Sequence, residues 1–217
     1  HAPLKDSGID WIGQIPEHWE IRRLKSMLES PLEYGANMSG IPYDSSLPRY
    51  IRITDIETST TLKSDNKLSL PISDLTSRYL LKTGDVLFAR SGATVGKTYI
   101  VSENDLPAAY AGYLIKCCTN ERYLLPLFSL FYSQSHQYTL WKDVIFIQAT
   151  IQNISAEKYN NLQLPVPPVT EQAEICEYIA RKSSCFDNII QIQNQIIEKL
   201  QEYRTRLVAD VVTGQID

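Results

Sequence analysis

The sequence predicts an α+β fold, a globular mixed α/β domain followed by one long C-terminal coiled-coil helix. Apolar residues recur at steps of four and three from Ile175 onward, with no Gly or Pro between Pro168 and Gly214. Short β-rich runs separated by Gly- and Pro-rich loops fill the first three quarters. An apolar content of 43% in 217 residues is ample for a core in that part.

The long helix is predicted from its punctuation and its length. Pro165, Pro167 and Pro168 should end the preceding structure, because three such prolines continue neither a strand ladder nor a helix. Thr170 is an N-cap candidate with Glu171 in the first turn. We therefore expect a helix over 170–213, roughly 66 Å long, and place the domains at 1–167 and 168–217. Helices of ordinary domain cores, the alternative, average about 11–12 residues.

One face of this helix is predicted to bind another copy of the same unit. Alternate steps of four and three from Ile175 to Leu207 meet ten positions, of which eight are apolar. These eight are Ile175, Ile179, Phe186, Ile189, Ile196, Leu200, Tyr203 and Leu207. Lys182 and Gln193 interrupt the seam, where a polar residue lowers stability but can fix register. Because the globular domain cannot cover so long a seam, a second copy should do so.

The remaining elements are predicted in chain order. Residues 6–20, with Trp11 and Trp19, should form an irregular lid on the core. Strands are predicted at 50–56, 86–89, 98–101 and 110–118, and helical segments at 73–79 and 124–141. The glycine-rich link between 86–89 and 98–101 favours a hairpin or a strand–loop–strand.

Composition and charge exclude several classes of protein. Four cysteines without a CxxC pair, and no long apolar run or signal peptide, predict a reduced cytoplasmic protein outside the membrane. The start at His1 without Met indicates a cloning scar or a fragment boundary. The net charge is −4, but residues 49–97 hold eight basic and five acidic side chains, whereas 169–217 hold five and eight. The first of these segments is therefore the better candidate for contacting an anion.

No catalytic, metal or nucleotide motif is complete. Gly92 and Gly96 are one residue too close for a P-loop, and the β-rich run after Lys97 cannot supply the required helix N-terminus. Val166-Pro167-Pro168-Val169 resembles the tetrad of adenine methyltransferases but lacks the leading Asp/Asn and the trailing aromatic residue. The three histidines show no metal-ligand spacing. The sequence therefore predicts a binding protein without catalytic activity, metal or cofactor of its own.

Five blocks in order resemble the DNA-specificity (S) subunit of type I restriction-modification enzymes. They are DSGIDWIGQIPEHW at 6–19, YIRITDI at 50–56, GDVLFARSGATVGK at 84–97, LPVPPVTEQ at 164–172 and VVTGQID at 211–217. In that family a target-recognition domain and a long conserved helix occur twice in a full-length subunit. The helices pair antiparallel, and each domain reads half of a bipartite site. A single unit here implies half of a longer subunit or a natural half-length version.

The resemblance also implies partners. These are double-stranded DNA, the modification (methyltransferase) subunits, the restriction subunit through the complex, and a second copy through the long helix. S-adenosylmethionine, ATP and Mg²⁺ are expected on the partner subunits and not on this chain. A coiled-coil adaptor that binds only protein is the alternative, and a nucleotide-dependent enzyme would rest only on the defective glycine loop.

Candidate DNA contacts come from the basic and amide-rich loops of the domain. Arginine and lysine suit phosphate or guanine, and side-chain amides suit adenine edges. The candidates are Arg49, Arg52, Thr54, Arg90, Ser91, Gly92, Thr94, Lys97, Gln148, Thr150, Gln152 and Asn153.

Overall fold

The computed structural model describes residues 2–92, 94–147 and 153–215. The chain divides into two compact units, with the boundary between Ala173 and Glu174. The first unit mixes short strands and helices, and the second is the continuation of a single helix. The predicted α+β class is therefore confirmed.

The strands and helices are short except for the last. The strands are β1 (Leu4–Asp6), β2 (Gln14–Pro16), β3 (Glu20–Arg23), β4 (Glu33–Tyr34), β5 (Ile41–Pro42), β6 (Arg49–Ile51), β7 (Leu68–Ser69), β8 (Val86–Ala89), β9 (Thr98–Ile100), β10 (Ala108–Tyr110), β11 (Leu114–Cys117) and β12 (Gln163–Val166). The helices are α1 (Pro126–Tyr132), α2 (His136–Ile147), α3 (Ala156–Asn160) and α4 (Val169–Val212).

Two four-stranded sheets form the centre of the first unit. One has the order β4-β11-β8-β9, and its β8 is buried at all four residues. The other has the order β10-β6-β7-β5, with β10 parallel to β6. The predicted hairpin is confirmed, since Leu87 pairs with Tyr99 in the antiparallel β8–β9 ladder. Leu87, Tyr99 and Tyr110 belong to one buried cluster, so apolar side chains from both sheets form a common core.

The predicted strand over 50–56 is wrong beyond Ile51. The Asp55 carboxylate accepts a hydrogen bond from the backbone N–H of Arg52 at 2.8 Å, and a 3₁₀ turn occupies Ile53–Asp55. A local side-chain bond of this kind competes with the strand ladder. Alternation of apolar residues could not reveal this competition.

Two other predicted elements are divided. The strand predicted at 110–118 becomes β10 and β11, because the chain leaves one sheet after Tyr110 and joins the other at Leu114. The helix predicted at 124–141 becomes α1 and α2, separated at Ser133. The Ser133 hydroxyl donates to the Leu130 carbonyl at 2.5 Å, which occupies an acceptor at the end of α1.

The expectation that the proline cluster excludes a strand is wrong at Pro165. This residue lies in β12 and pairs with Ile21 of β3 in a two-stranded sheet. A strand with one neighbour needs no N–H donor on its outer side, so an edge strand tolerates proline. The N-terminal segment also differs from the predicted irregular lid, because β1 and β2 form a hairpin with Ile15 buried.

Helix α4 runs from Val169 to Val212, within one residue of the predicted bounds at either end. Thr170 lies in its first turn instead of capping it. The start is fixed by Gln172, whose fully buried amide donates to the carbonyls of Tyr123 (2.8 Å) and Pro167 (3.0 Å). Its Oε1 accepts from the N–H of Leu125 at 2.9 Å, so the nitrogen and the oxygen of the Gln172 amide both have partners.

The second unit exposes large apolar side chains along α4. Phe186 is 61% exposed and Leu200 is 61% exposed. Among the residues that the structure describes, no helix is both long and apolar enough to span a bilayer.

Candidate DNA-binding surface

The carboxyl end of β8 brings together several of the predicted contacts. Arg90 donates its N–H to the Tyr113 carbonyl at 3.0 Å and accepts at its own carbonyl from the Ile154 N–H at 2.8 Å. Ser91 forms an isolated antiparallel bridge with Asn153. Backbone bonds on both sides thus hold this strand end in place, although Arg90 and Asn153 are 63 residues apart in sequence.

The Arg90 side chain is oriented by an aromatic ring. Its guanidinium carbon lies 4.6 Å from the centroid of Tyr34, within the range of a cation–π contact. Its Nε is 3.5 Å from Oδ1 of Asn153, at the long limit of a hydrogen bond. Tyr34 is itself fixed, because its hydroxyl accepts from the backbone N–H of Ala156 at 2.9 Å. We name Tyr34, Arg90, Ser91, Tyr113 and Asn153 the strand-end cluster.

The strand-end cluster offers groups that match nucleic acid. Arg90 is half-buried with only one guanidinium N–H directed at Asn153, so donors remain for a ligand. Tyr113, whose backbone carbonyl accepts from the Arg90 N–H, is 63% exposed. A stacked guanidinium, an amide and an exposed aromatic ring are the groups that proteins present to base edges, sugars and phosphates.

The glycine-rich link beyond this cluster requires both of its glycines. Gly92 and Gly96 each have φ of +80°, a conformation that other residues rarely adopt. Gly92 and Thr94 are exposed, and Ala93 lies outside the described residues. A Cβ on Gly96 would also collide with the side chain of Lys142. The link leads into β9 and not into a helix, as the argument against a P-loop predicted.

Three predicted basic contacts bind the protein's own loops. Arg52 forms two bonds to Asp55, from Nε at 3.0 Å and from its terminal nitrogen at 2.7 Å, and this carboxylate raises the pKa of Arg52. Arg49 donates to the carbonyl of Lys63 at 2.6 Å. The Lys97 ammonium donates to the carbonyls of Ile56 (2.9 Å) and Glu57 (2.8 Å). These bonds therefore occupy side-chain donors that were predicted to contact DNA.

The other predicted contacts are not brought into one site. Thr54 is exposed in the 3₁₀ turn that contains Asp55. Gln148, Thr150 and Gln152 lie outside the described residues. Within the described residues, no group of three or more His, Cys, Asp or Glu side chains is arranged to hold a metal ion.

Sequence reasoning missed Tyr34 and Tyr113. Both are next to a glycine, Gly35 and Gly112, and Tyr113 falls inside the strand predicted at 110–118. A Cβ on Gly35 would overlap the backbone of Tyr110 and Ala111, so the chains approach closely there. An aromatic residue next to a glycine can indicate a binding surface, but only the fold shows which charged group the aromatic ring contacts.

Comparison with known proteins defines the class. The sequence model described as "Type I restriction modification DNA specificity domain" matches residues 16–202, most of the chain. The chain therefore belongs to this family of type I restriction-modification specificity domains, as the five sequence blocks predicted.

The individual relatives are distant and longer. A protein of Methanocaldococcus jannaschii named as a candidate MjaX type I restriction enzyme specificity subunit is 27% identical over 212 residues, which cover 93% of this chain and 47% of that protein. The Escherichia coli type I restriction enzyme EcoBI specificity subunit is 22% identical, with coverage of 93% and 43%. The chain spans about half the length of the curated relatives it matches.

Solved structures share the fold. The HsdS subunit from Thermoanaerobacter tengcongensis superposes with a TM-score of 0.61 at 19% identity, over 88% of this chain and 42% of that one. A chain from a study of complex assembly and conformational transition in the type I R-M system gives 0.64 at 18% identity, over 92% and 46%.

Proposed function

We propose that this chain gives DNA-sequence specificity to a type I restriction-modification complex, reading one half of a bipartite site. The observation that carries the proposal is the family match over residues 16–202. In the complex, the chain docks modification subunits, and the restriction subunit joins through the assembly. The chain itself is non-catalytic, and S-adenosylmethionine, ATP and Mg²⁺ act on the partner subunits.

We assign DNA reading to the globular domain, residues 1–167, and its base contacts to the strand-end cluster. The guanidinium of Arg90 can donate to guanine O6 and N7, and the side-chain amide of Asn153 can pair with adenine N6 and N7. Ser91, Gly92 and Thr94 adjoin them on an exposed link where phosphates can approach. Three other basic residues instead stabilise the fold, namely Arg49, Arg52 and Lys97. Their bonds to a carboxylate and to backbone carbonyls of the protein support this assignment.

We assign partner binding to the long helix, residues 168–217. Six residues of its predicted seam lie between 40% and 65% exposed, namely Phe186, Ile189, Ile196, Leu200, Tyr203 and Leu207. Water contact at so many large apolar side chains is unfavourable by about 25 cal/mol per Å². A second unit of the same kind covers part of this face, and the modification subunits cover another part.

Binding of a labelled random-sequence duplex to the chain assembled with modification subunits tests the proposal. The affinity should fall steeply between about 50 and 200 mM salt, because several phosphate contacts release counterions on binding. Arg90→Ala should weaken binding, whereas the exposed Arg23→Ala, on β3 of another sheet, is the matched control. Binding with little salt dependence, or equal losses in the two variants, would contradict the assignment and favour a protein-binding adaptor.

A further inference from the structure

A polar cleft lies between the glycine-rich link and helix α2. Its volume is about 450 Å³, and it is lined by Ser59, Thr94, Val95, Gly96, Lys97, Thr98, Ser133, Gln134, Thr139 and Lys142. No lining residue carries a carboxylate, and two carry ammonium groups. Since the whole chain has more acidic than basic residues, this lining is locally biased toward binding an anion.

Lys142 is the charged group that the fold leaves for a ligand. Its side chain is half-buried, lies directly over Gly96, and holds its ammonium 5.2 Å from the ring centroid of Tyr138. Burial lowers the pKa of Lys142, and the charge of neighbouring Asp143 opposes that change. Within the part of the chain that the structure describes, no carboxylate forms an ion pair with this ammonium. A partly desolvated cation without a counter-ion is stabilised when an anion arrives.

Lys97 has a different task in the same cleft. Its ammonium donates to the carbonyls of Ile56 and Glu57, so it holds the segment that contains Ser59 against the glycine-rich link. Ser59 on that loop is also held by its carbonyl, which accepts from the Ile100 N–H at 3.0 Å. The Ser59 hydroxyl accepts from the Gln134 amide at 3.0 Å, which leaves its own proton available for a ligand. Lys97 is therefore a positioning residue here.

Hydroxyl donors complete the site. Thr94 is exposed at the cleft. The Thr139 hydroxyl already donates to the Ser135 carbonyl at 3.4 Å, and Thr98 and Ser133 bond each other at 2.6 Å. One available ammonium with neutral donors matches a group of single negative charge. A DNA phosphodiester has that charge and accepts several hydrogen bonds at once.

We propose that this cleft binds one phosphate of the DNA backbone, with Lys142 as the charged ligand and Ser59 and Thr94 as neutral donors. The inference rests on the proposed function. Gly96 lies six residues after Arg90 on one continuous segment, so this contact would set the register in which the strand-end cluster meets the bases. Arg90 then reads sequence, and Lys142 contributes affinity without sequence preference.

The test compares Lys142→Ala, Lys142→Arg and the exposed Lys25→Ala in complexes with modification subunits. Binding of random-sequence duplexes is measured from 50 to 200 mM salt. Because one phosphate contact contributes about 0.9 to the salt slope, Lys142→Ala should reduce the slope by about that amount. Its affinity loss should be similar for all sequences. Lys142→Arg should retain the slope, and Lys25→Ala should leave it unchanged.

The outcomes separate the cleft from the function. If the unaltered complex binds DNA and Lys142→Ala keeps its full slope, the phosphate cleft is wrong while DNA reading stands. If the unaltered complex shows no salt-dependent DNA binding, the proposed function fails first. Gln134→Ala provides a second readout, since loss of its bond to Ser59 should weaken binding without changing the slope. A slope change in Gln134→Ala equal to that in Lys142→Ala would contradict the assigned roles.

Discussion

Two phenylalanines show how the two units differ. Phe88 in β8 is 1% exposed and packs against Tyr159 with ring centroids 4.7 Å apart and ring planes tilted by 42°. Phe186 in α4 is 61% exposed. The same side chain is thus structural in one unit and available to a partner in the other. The first unit contains nearly all of the buried apolar side chains, whereas the second exposes a continuous series of them, as expected of an interaction element.

The largest effect is expected in the core of the first unit. Phe88→Ala removes a fully buried ring and should lower the free energy of unfolding by about 3–5 kcal/mol. Chemical denaturation followed by tryptophan fluorescence would measure it. A loss below about 1 kcal/mol would mean that this ring is not packed as the structure shows.

Arg52→Ala should also destabilise the first unit, because it leaves the Asp55 carboxylate without its guanidinium partner at 4% exposure. A buried acceptor that loses a partner costs about 1–3 kcal/mol. Arg52→Lys should recover part of the loss. If Arg52→Ala instead lowered DNA affinity without changing the free energy of unfolding, Arg52 would be a DNA contact.

Phe186→Ala is expected to leave the unfolding of the first unit unchanged and to weaken self-association. Burial of one such ring contributes about 1.5–3 kcal/mol, so the dimer Kd should rise roughly tenfold or more. Sedimentation equilibrium measures it. Gln195→Ala is the matched control, because Gln195 lies on the opposite side of the helix from the seam. Equal effects of the two substitutions would remove the seam as the interface.

The smallest effect concerns pH at the other end of β8. Asp85 precedes the strand, is 4% exposed, and accepts from the Lys82 N–H at 2.8 Å. Burial raises the pKa of this carboxyl. The folded protein therefore holds the Asp85 proton more tightly than the unfolded chain, and ionisation costs stability as pH rises above about 4.

Asp85→Asn keeps an acceptor for Lys82 and removes this charge. As pH rises from about 4 to neutral, the free energy of unfolding of Asp85→Asn should increase relative to that of the unaltered protein. Asp74→Asn, at an exposed position, should show no such trend. Parallel pH profiles for Asp85→Asn and the unaltered protein would contradict the assigned cost of burying the charge.

The sequence predicted the second unit better than the first for a physical reason. Helix periodicity and the proline and glycine residues that flank a helix are local signals, so they predict the bounds of α4 to within a residue. In the first unit, one non-local event and one local side-chain bond decide where the elements end. The chain changes sheets between Tyr110 and Leu114, and Asp55 bonds the backbone of Arg52 to end a strand early. Neither event leaves a mark in apolar spacing.

The candidate site divides in the same way. The glycine-rich link was recognisable from its composition, and the structure shows positive φ at Gly92 and Gly96, a conformation that favours glycine. Charge alone could not distinguish Arg90, which stacks on Tyr34, from Arg52, which pairs with Asp55. Lys142 was not among the predicted contacts because it is far in sequence from the glycine-rich link, and only the packing of α2 against Gly96 brings it to the cleft.

The central claim is that the first unit reads DNA through the strand-end cluster. Selection of bound sites from a random duplex library by the chain assembled with modification subunits tests it most directly. We expect one enriched motif for the unaltered chain, and for Arg90→Ala a relaxed preference at one base position of that motif, worth about 1–3 kcal/mol. No enriched motif, or a motif that persists when residues 1–165 are deleted, would contradict the claim.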